Sequence, residues 1–313
     1  MTKESNRTNI LRELEPVVDS ELNRHLRQTD DWNPHDYVPW SDGENFAYLG
    51  GKDWEPVQSK LGEVARTAMY VNLLTEDNLP SYHREIATTF TRDSAWGEWV
   101  GRWTAEEARH GISMRDYLVV TRAIDPVALE QARMQHMTAG YDSGDKSPLE
   151  AIAYVTMQEL ATRIAHRNTG KESLKDGDEL ADKLLGRIAK DENLHMVFYR
   201  NLGRAALDVA PNEMMRAITK EVQQFAMPGA TIPNFRRHSV MIAKAGIYDL
   251  KQHVEEVLEP TLKYWKVNER EDLRDDGEQA RDELKATLEY LQKKAEQFAE
   301  RRDSARQSES ESK

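Results

Sequence analysis

The stretch WTAEEARHG, residues Trp103–Gly111, places a glutamate and a histidine three positions apart, at Glu107 and His110. The same tetrad returns in KDENLHM, where Glu192 is followed by His195. Residues three apart on a helix share a face, so each tetrad presents a carboxylate and an imidazole together. One tetrad is typical of an ordinary surface pair, but two copies in one chain suggest two halves of a metal site.

A lone glutamate precedes each tetrad by about the length of one helical hairpin. Glu76 lies 31 residues before Glu107, and Glu159 lies 33 residues before Glu192. The two halves of the pattern are therefore offset by 83 to 85 residues. Ferritin-like di-iron and di-manganese bundles use this ligand set: two helices each supply one Glu, and two others each supply Glu-x-x-His.

The first tetrad lies on an apolar helix face. Trp96, Trp99 and Trp103 precede Glu107 at intervals of three or four residues, so these side chains share one face. Such a face points into a core, where a carboxylate without a partner is energetically expensive. A single buried Glu or His is more often an ordinary paired core residue, but the repeated pattern favours cations. Oxygen-rich, thiol-free ligation suits iron or manganese, and the spacing does not choose between them.

Composition narrows the classes of protein. The 313 residues carry a net charge of −12, which argues against a general nucleic-acid binder because such proteins need a basic surface. Cysteine is absent, so any metal must be held by carboxylates and imidazoles, and a reducing cytoplasm is the expected location. Neither an apolar run long enough for a transmembrane helix nor a secretory signal is apparent.

Apolar residues recur mostly at helical spacing, and alternating strands are hard to find. We therefore predict an all-α protein, with a ferritin-like four-helix bundle core extended by additional helices. The helices are predicted near residues 8–29, 55–76, 93–123, 147–169, 176–207, 211–226, 234–245, 249–258 and 276–302. Leu79 and Pro80 are predicted to close the second of them.

A single domain is predicted for residues 1–302. The final stretch RRDSARQSESESK has no apolar face, so residues 303–313 are predicted to form a disordered tail. Residues 30–54 are rich in aromatic side chains, proline and glycine. We predict an ordered loop there, because Trp and Tyr side chains need a surface on which to pack.

Several stretches resemble the soluble acyl-[acyl-carrier-protein] desaturases, the stearoyl-ACP desaturase family, and in particular its bacterial members. The resemblance extends over most of the chain, from about residue 10 to about residue 300. The matching stretches are NLLTEDNLPSY, WTAEEARHG, MQELATRIAHRNTG and IAKDENLHM around the four glutamates, with DWNPHDYVPW before them and LKYWKVNEREDL after them.

The resemblance implies a set of site residues. The implied di-iron ligands are Glu76, Glu107, His110, Glu159, Glu192 and His195. Asp191 resembles a carboxylate that hydrogen-bonds a ligand histidine, here His110, and Trp32 resembles the tryptophan that hydrogen-bonds this aspartate. Glu106 is expected to serve His195 in the same way. Thr162 resembles a threonine implicated in oxygen activation, one turn from Glu159.

The resemblance also implies an activity and partners. We expect oxygen-dependent introduction of a cis double bond into a fatty acyl chain on acyl carrier protein, with two iron ions per chain and O2 as co-substrate. A ferredoxin-like electron donor and a homodimer are expected as well. Acyl carrier protein is acidic, so a chain at −12 needs a local basic patch, for which NFRRHSVMIAKAG offers Arg236, Arg237 and Lys244.

Four alternatives remain open at this point. An acyl hydroxylase would use the same metal site. A ribonucleotide reductase small subunit has similar ligand spacing but needs a tyrosine about one turn after the first tetrad, where this chain has Met114. An iron-storage protein would normally be shorter. A non-catalytic iron-binding bundle would leave the retention of six ligands unexplained.

Overall fold

In the computed structural model the backbone is described for residues 3–311 and the side chains for residues 9–304. The chain is helical, and no β-strand occurs between residues 3 and 311. The helices are α1 (Lys3–Gln28), α2 (Glu63–Asp77), α3 (Leu79–Phe90), α4 (Ser94–Val120), α5 (Pro126–Ala139), α6 (Pro148–Lys175), α7 (Glu179–Val209), α8 (Pro211–Gln224), α9 (Phe235–Ala245), α10 (Leu250–Gln252), α11 (Glu259–Trp265) and α12 (Asp276–Glu311). A π-helical turn, His253–Leu258, joins α10 to α11.

Four of these helices form a closed ring. Helix α2 packs against α4 and α6, and both of these pack against α7. Local sequence fixes where the long members begin: Ser147 and Glu150 form a reciprocal capping box at α6, and the Asp178 carboxylate accepts from the Ala181 backbone amide at α7. The prediction of an all-α protein with a four-helix core and additional helices is confirmed.

The remaining helices cover the outside of this ring. Helix α1 packs against α7 and α4, α9 packs against α2, and α12 packs against α8, which itself lies on α6. Along α1, Leu14, Val18 and Leu22 are buried at intervals of four residues, so one stripe of this helix faces the core. This stripe brings the C-terminal part of α1 over the seam between α4 and α7.

The segment between α1 and α2 is an ordered loop with short 3₁₀ turns, as predicted for residues 30–54. Trp32 and Val38 are buried, whereas Tyr48 is 98% exposed, so only part of the aromatic content packs inward. The guanidinium of Arg122 donates to the backbone carbonyls of Asn45 and Lys52. These bonds fasten the exposed half of the loop to the end of α4.

Several helix boundaries differ from the prediction: α1 begins at Lys3 instead of residue 8, and α6 continues to Lys175 instead of ending at 169. The helix predicted for 55–76 begins only at Glu63, because residues 56–58 form a separate 3₁₀ turn. Pro80 was taken to close that helix, but it lies in the first turn of α3, where its missing N–H has no helical partner to lose. Helices α3, α5 and α11 were not predicted.

The disordered tail predicted for residues 303–313 stays a prediction. Helix α12 continues to Glu311, while residues 312–313 lie outside the described residues. Extending a helix that already exists adds one hydrogen bond for each residue that is fixed, which the lack of an apolar face does not prevent. Within the described part of the chain, no helix is long and apolar enough to cross a membrane.

Candidate metal centre

Each helix of the ring carries one or more of the predicted ligands: α2 carries Glu76, α6 carries Glu159, and α4 and α7 carry the two tetrads. All six predicted ligands are buried. They fall into two overlapping groups whose ligand atoms lie within 4.8 Å of one another. One group is Glu76, Glu107, His110 and Glu192, and the other is Glu107, Glu159, Glu192 and His195. Glu107 and Glu192 belong to both groups, which is the arrangement expected of carboxylates that bridge two ions.

His110 and His195 both point Nδ1 toward the interior of the four-helix bundle. Nδ1 of His110 lies 3.3 Å from Glu192 Oε1 and 3.5 Å from Glu107 Oε2. Nδ1 of His195 lies 2.7 Å from Glu107 Oε1 and 3.5 Å from Glu159 Oε2. The two tetrads thus face each other across the bundle and each shares the carboxylate of the other.

The atoms that face the interior lack hydrogen-bond partners. Five buried atoms of these side chains form no hydrogen bond: Oε1 of Glu107, Oε2 of Glu159, Oε1 of Glu192, and Nδ1 of His110 and of His195. Buried charged groups without partners are costly, whereas carboxylate oxygens and imidazole nitrogens are suitable ligands for iron and manganese. The residues present therefore fit two divalent cations.

The pKa shifts reflect the same crowding of negative charge. Burial, together with the charge of Glu192, raises the pKa of Glu107, and burial raises the pKa of Glu159 well above its ordinary value. Burial alone would lower the pKa of His110 and His195, but the surrounding carboxylates outweigh it and raise both pKa values well above normal. Cations would relieve this repulsion.

A second pair of carboxylates lies behind the histidines. Asp191 Oδ2 lies 3.5 Å from His110 Nε2, and Glu106 Oε2 lies 2.9 Å from His195 Nε2. Asp191 and Glu106 each directly precede a tetrad glutamate, and each serves the histidine of the opposite tetrad. Hydrogen bonds from the outer ring nitrogen fix the tautomer and orientation of a metal-binding histidine.

Asp191 is held by donors from three directions. The indole N–H of Trp32 donates to Oδ2 at 2.7 Å, Arg187 donates to Oδ1, and Arg109 Nη2 lies 3.4 Å from Oδ2. Burial acts to raise the pKa of Asp191, but the hydrogen bond and charge of His110 outweigh it and lower that pKa. The structure places Trp32 and Asp191 together as the resemblance implied.

Glu106 has a different environment. Its Oε1 accepts from Arg102 at 2.5 Å, and its Oε2 accepts from His25 at 2.8 Å as well as from His195. Burial acts to raise the pKa of Glu106, but hydrogen bonds from the two histidines outweigh it and lower that pKa. His25 lies on α1, and sequence reasoning did not single it out.

Thr162 lies beside the shared carboxylate Glu192. Its hydroxyl is 2.9 Å from Glu192 Oε2 and 3.0 Å from the backbone carbonyl of Glu159. A hydroxyl has one proton, so it can donate to only one of these acceptors at a time. The Thr162 hydroxyl can therefore donate either to the backbone carbonyl of Glu159 or to the carboxylate of Glu192.

Two further contacts to the predicted ligands were not identified from the sequence. His166 Nε2 lies 2.9 Å from Glu76 Oε1, and the Trp103 indole N–H donates to Glu159 Oε1 at 3.1 Å. Both side chains lie on the apolar faces that carry the ligands, seven residues after Glu159 and four before Glu107. That spacing was the available signal, but it could not reveal contacts between helices.

A cavity opens beside the metal centre, between α2, α3, α4 and α6. Glu76 and Glu107 form part of its wall. The other lining residues are mostly apolar or aromatic near the centre, including Leu79, Tyr82, Ile86, Trp103, Ala151, Tyr154 and Val155, with a polar group of Glu85, Ser143 and Lys146. A ligand in this cavity would contact two of the carboxylates directly.

The predicted basic patch lies apart from the centre, on α9. Arg236, Arg237 and Lys244 are exposed there. Helix α9 packs against α2, the helix that carries Glu76. Pro228, in the segment that leads into α9, lines the cavity. The patch is therefore on the side of the molecule where the cavity wall is formed.

Comparison with known proteins gives consistent matches. The family model described as fatty acid desaturase matches residues 6–313. DesA1 of Mycobacterium tuberculosis, which is named for acyl-[acyl-carrier-protein] desaturation, is 52% identical over 297 residues, covering 92% of this chain and 87% of DesA1. The chloroplastic stearoyl-[acyl-carrier-protein] 9-desaturase of Gossypium hirsutum is 26% identical over 310 residues, covering 93% of this chain and 78% of its own length.

A solved structure matches as well. The X-ray structure of DesA2 from Mycobacterium tuberculosis, also named for acyl-ACP desaturation, superposes with a TM-score of 0.69 at 35% sequence identity. The match covers 82% of this chain and 95% of DesA2.

Proposed function

This chain belongs to the fatty acid desaturase family, and we propose on that premise that it introduces a cis double bond into a fatty acyl chain carried by acyl carrier protein. It is an oxidoreductase, as its relatives are. The observation that carries the proposal is that the cavity borders the ligand groups: Glu76 and Glu107 belong to these groups and also line the cavity. An acyl chain in that cavity would hold its methylene groups against the metal centre.

The proposed centre contains two iron ions held by the six buried glutamates and histidines. When bound, the ions supply the activation of O2 that removal of two hydrogen atoms from neighbouring methylenes requires. The balance is one O2 reduced to two waters by two hydrogens from the chain, two electrons from a donor and two protons from solvent. The protein orients the ligands, holds the chain in an apolar cavity and keeps bulk water from the reacting carbons.

Each part of the site has a task in this proposal. Asp191 and Glu106 keep His110 and His195 in the tautomer that leaves Nδ1 free for an ion. Thr162 provides a hydroxyl beside Glu192, at the position from which it could donate a proton during oxygen reduction. A ferredoxin-like electron donor, a homodimer and a cytoplasmic location complete the proposal.

Mass spectrometry of the acyl chain tests the reaction. Acyl-[acyl-carrier-protein] is incubated with the iron-loaded protein, a reductant and O2, and loss of two hydrogens from the chain is the expected result. Gain of one oxygen would indicate the hydroxylase alternative. Metal analysis should give about two irons per chain, and stoichiometric zinc in the native protein would contradict the proposal.

A cavity variant separates the acyl site from the metal centre. Ala151→Phe would place a ring in the cavity without touching a ligand. We expect it to retain two irons and to lose turnover of the acyl substrate, because the chain can no longer reach the wall formed by Glu76 and Glu107. Normal turnover of long acyl chains by this variant would show that the chain binds elsewhere.

Docking of the acidic carrier is proposed at the exposed residues Arg236, Arg237 and Lys244 of α9. Reversing the charges with Arg236→Glu and Arg237→Glu should raise KM for acyl-[acyl-carrier-protein], most at low ionic strength, and leave kcat unchanged. The matched control reverses two adjacent exposed lysines of α12, Lys293→Glu and Lys294→Glu. Equal effects of the two double variants would reflect net charge instead of a docking patch.

A further inference from the structure

His25 is a polar residue on the buried stripe of α1. It follows Leu22 by three residues, continues the row of Leu14 and Val18, and has no solvent exposure. Helix α1 brings it over the seam between α4 and α7, where the second tetrad meets Glu106. A leucine there would continue the apolar stripe, so the presence of an imidazole calls for a reason.

The imidazole is bonded to the carboxylate behind the metal centre. His25 Nε2 lies 2.8 Å from Glu106 Oε2, and His195 Nε2 lies 2.9 Å from the same oxygen. The other oxygen of Glu106 accepts from the guanidinium of Arg102 at 2.5 Å, and a carboxylate paired in this way acts as a hydrogen-bond acceptor. Both imidazoles therefore donate from Nε2, and a bond of this kind favours the tautomer of His195 whose Nδ1, facing Glu107 and Glu159, can bind an ion.

Packing fixes the orientation of the His25 ring. It stacks on the ring of His195 at a centroid distance of 5.7 Å and an interplanar angle of 24°, and it meets Trp99 edge to face at 5.1 Å. Its own Nδ1 is buried and has no hydrogen-bond partner. A buried nitrogen without a partner is destabilising, so packing stability alone does not explain a histidine at this position.

The three side chains His25, Glu106 and His195 are also close enough to ligate a cation together. The guanidinium of Arg102, 2.5 Å from the other oxygen of Glu106, already supplies the positive charge there. A cation bound to Oε2 would therefore be repelled by the guanidinium of Arg102, which is paired with the same carboxylate. The arrangement instead matches a chain of hydrogen bonds that ends on a metal ligand.

We propose that His25 is a positioning residue for the metal ligand His195 and that it acts through Glu106. By donating to Oε2, His25 fixes the carboxylate in the rotamer that also accepts from His195. Without that donor, Glu106 is free to turn toward Arg102 and Arg109, which already lie 2.5 Å and 3.8 Å from Oε1. His195 would then lose the acceptor that holds its tautomer.

This inference rests on the proposed two-metal centre and concerns one half of it. His110 is supported through Asp191, which does not contact His25 and has its own donors in Trp32 and Arg187. Loss of His25 should therefore weaken the ion bound by His195 and Glu159 and leave the ion bound by His110 and Glu76 intact.

Titration of the metal-free protein with Co(II), followed by its visible absorption, tests the proposal without enzymatic turnover. For His25→Ala we expect one Co(II) to bind as in the natural protein and the second to bind about 10- to 100-fold more weakly, with altered bands for that ion. His25→Gln carries an amide N–H in place of Nε2–H and should restore both the affinity and the bands.

Leu22→Ala is the matched control. It removes packing from the same stripe of α1 and has no hydrogen bond to Glu106, so it should lower the melting temperature while both Co(II) ions bind normally. The proposal is overturned if His25→Ala binds both ions like the natural protein, or if Leu22→Ala reproduces its defect and His25→Gln does not rescue it. Failure of the natural protein to bind two ions would instead contradict the proposed function.

Discussion

The two halves of the proposed metal centre have the same inner geometry but different outer support. In each half, a histidine turns Nδ1 inward and bonds a carboxylate through Nε2. Behind His110, Asp191 is held by an indole from a loop and by two arginines. Behind His195, Glu106 is held by an imidazole from α1 and by Arg102. One half depends on the 30–62 loop, and the other depends on a helix.

This difference indicates which layer is constrained by chemistry. A metal ion requires particular atoms at particular positions, so both halves use the same Glu-x-x-His tetrad and a carboxylate one residue before it. The outer layer only has to supply N–H donors to a buried carboxylate, and an indole or an imidazole can do this equally well. Four predictions test how far the halves are alike and how far they are independent.

The largest effect is expected at a ligand common to both halves. Glu107→Gln removes a charge that belongs to both ligand groups, so it should weaken both ions and lower turnover by more than about 100-fold. Metal analysis of the purified variant and the mass-spectrometric assay measure the two effects. Retention of two tightly bound irons would show that Glu107 is not shared.

The next largest effect is expected from substitutions that weaken one ion and leave the other in place. Asp191→Asn should weaken the ion at His110 and Glu106→Gln the ion at His195, each by about 10- to 100-fold, because each substitution removes a charged acceptor behind one ligand histidine. The two carboxylates have no common histidine, but Arg109 lies 3.4 Å from Asp191 and 3.8 Å from Glu106, so the free-energy changes in the double variant should add except for the part carried by this arginine. Two Co(II) titrations and that of the double variant provide the measurement, and strong non-additivity would contradict independent halves.

A smaller effect is expected at Thr162, which touches Glu192 but is not a ligand. Thr162→Val removes a hydrogen bond to a charged group, worth about 1.5 to 3 kcal/mol, while preserving shape. We expect two irons to remain and turnover to fall by about tenfold. Thr162→Ser retains the hydroxyl and should behave like the natural protein, and a loss of iron in the valine variant would indicate a structural role.

The smallest effect is expected at Trp32. Trp32→Phe removes one of several donors to Asp191, and Arg187 and Arg109 remain, so the ion at His110 should weaken by less than about tenfold. The Co(II) titration that tests His25→Ala applies here, with the defect expected at the other ion. A Trp32→Phe defect as large as that of Asp191→Asn would show that the arginines do not hold the carboxylate.

Much of the inner site could be read from the residues. The repeat that begins at Glu76 and ends at His195 was visible as spacing, and helical periodicity showed that its members face inward. The carboxylates Asp191 and Glu106 were identified by resemblance, and the structure brings them to His110 and His195. His25 was not identified, because one histidine on an apolar stripe carries no repeat and its partner is 81 residues away.

Some helix boundaries could likewise be predicted from local sequence, and others could not. The capping box at Ser147 marks the start of α6 locally, and the prediction of 147 agrees. Pro80 was misread because proline is compatible with the end of one helix and with the first turn of the next.

The sequence by itself determined an all-α bundle, the identity of the six candidate ligands and their division into two halves, since these follow from periods of three to four residues and from a repeat along the chain. Only the tertiary structure decided that Glu107 and Glu192 are common to both ligand groups, that Glu76 and Glu107 line a cavity, and that His25 contacts the carboxylate behind His195. These are contacts between side chains far apart in sequence, and they are set by how helices and loops pack, which no local pattern encodes.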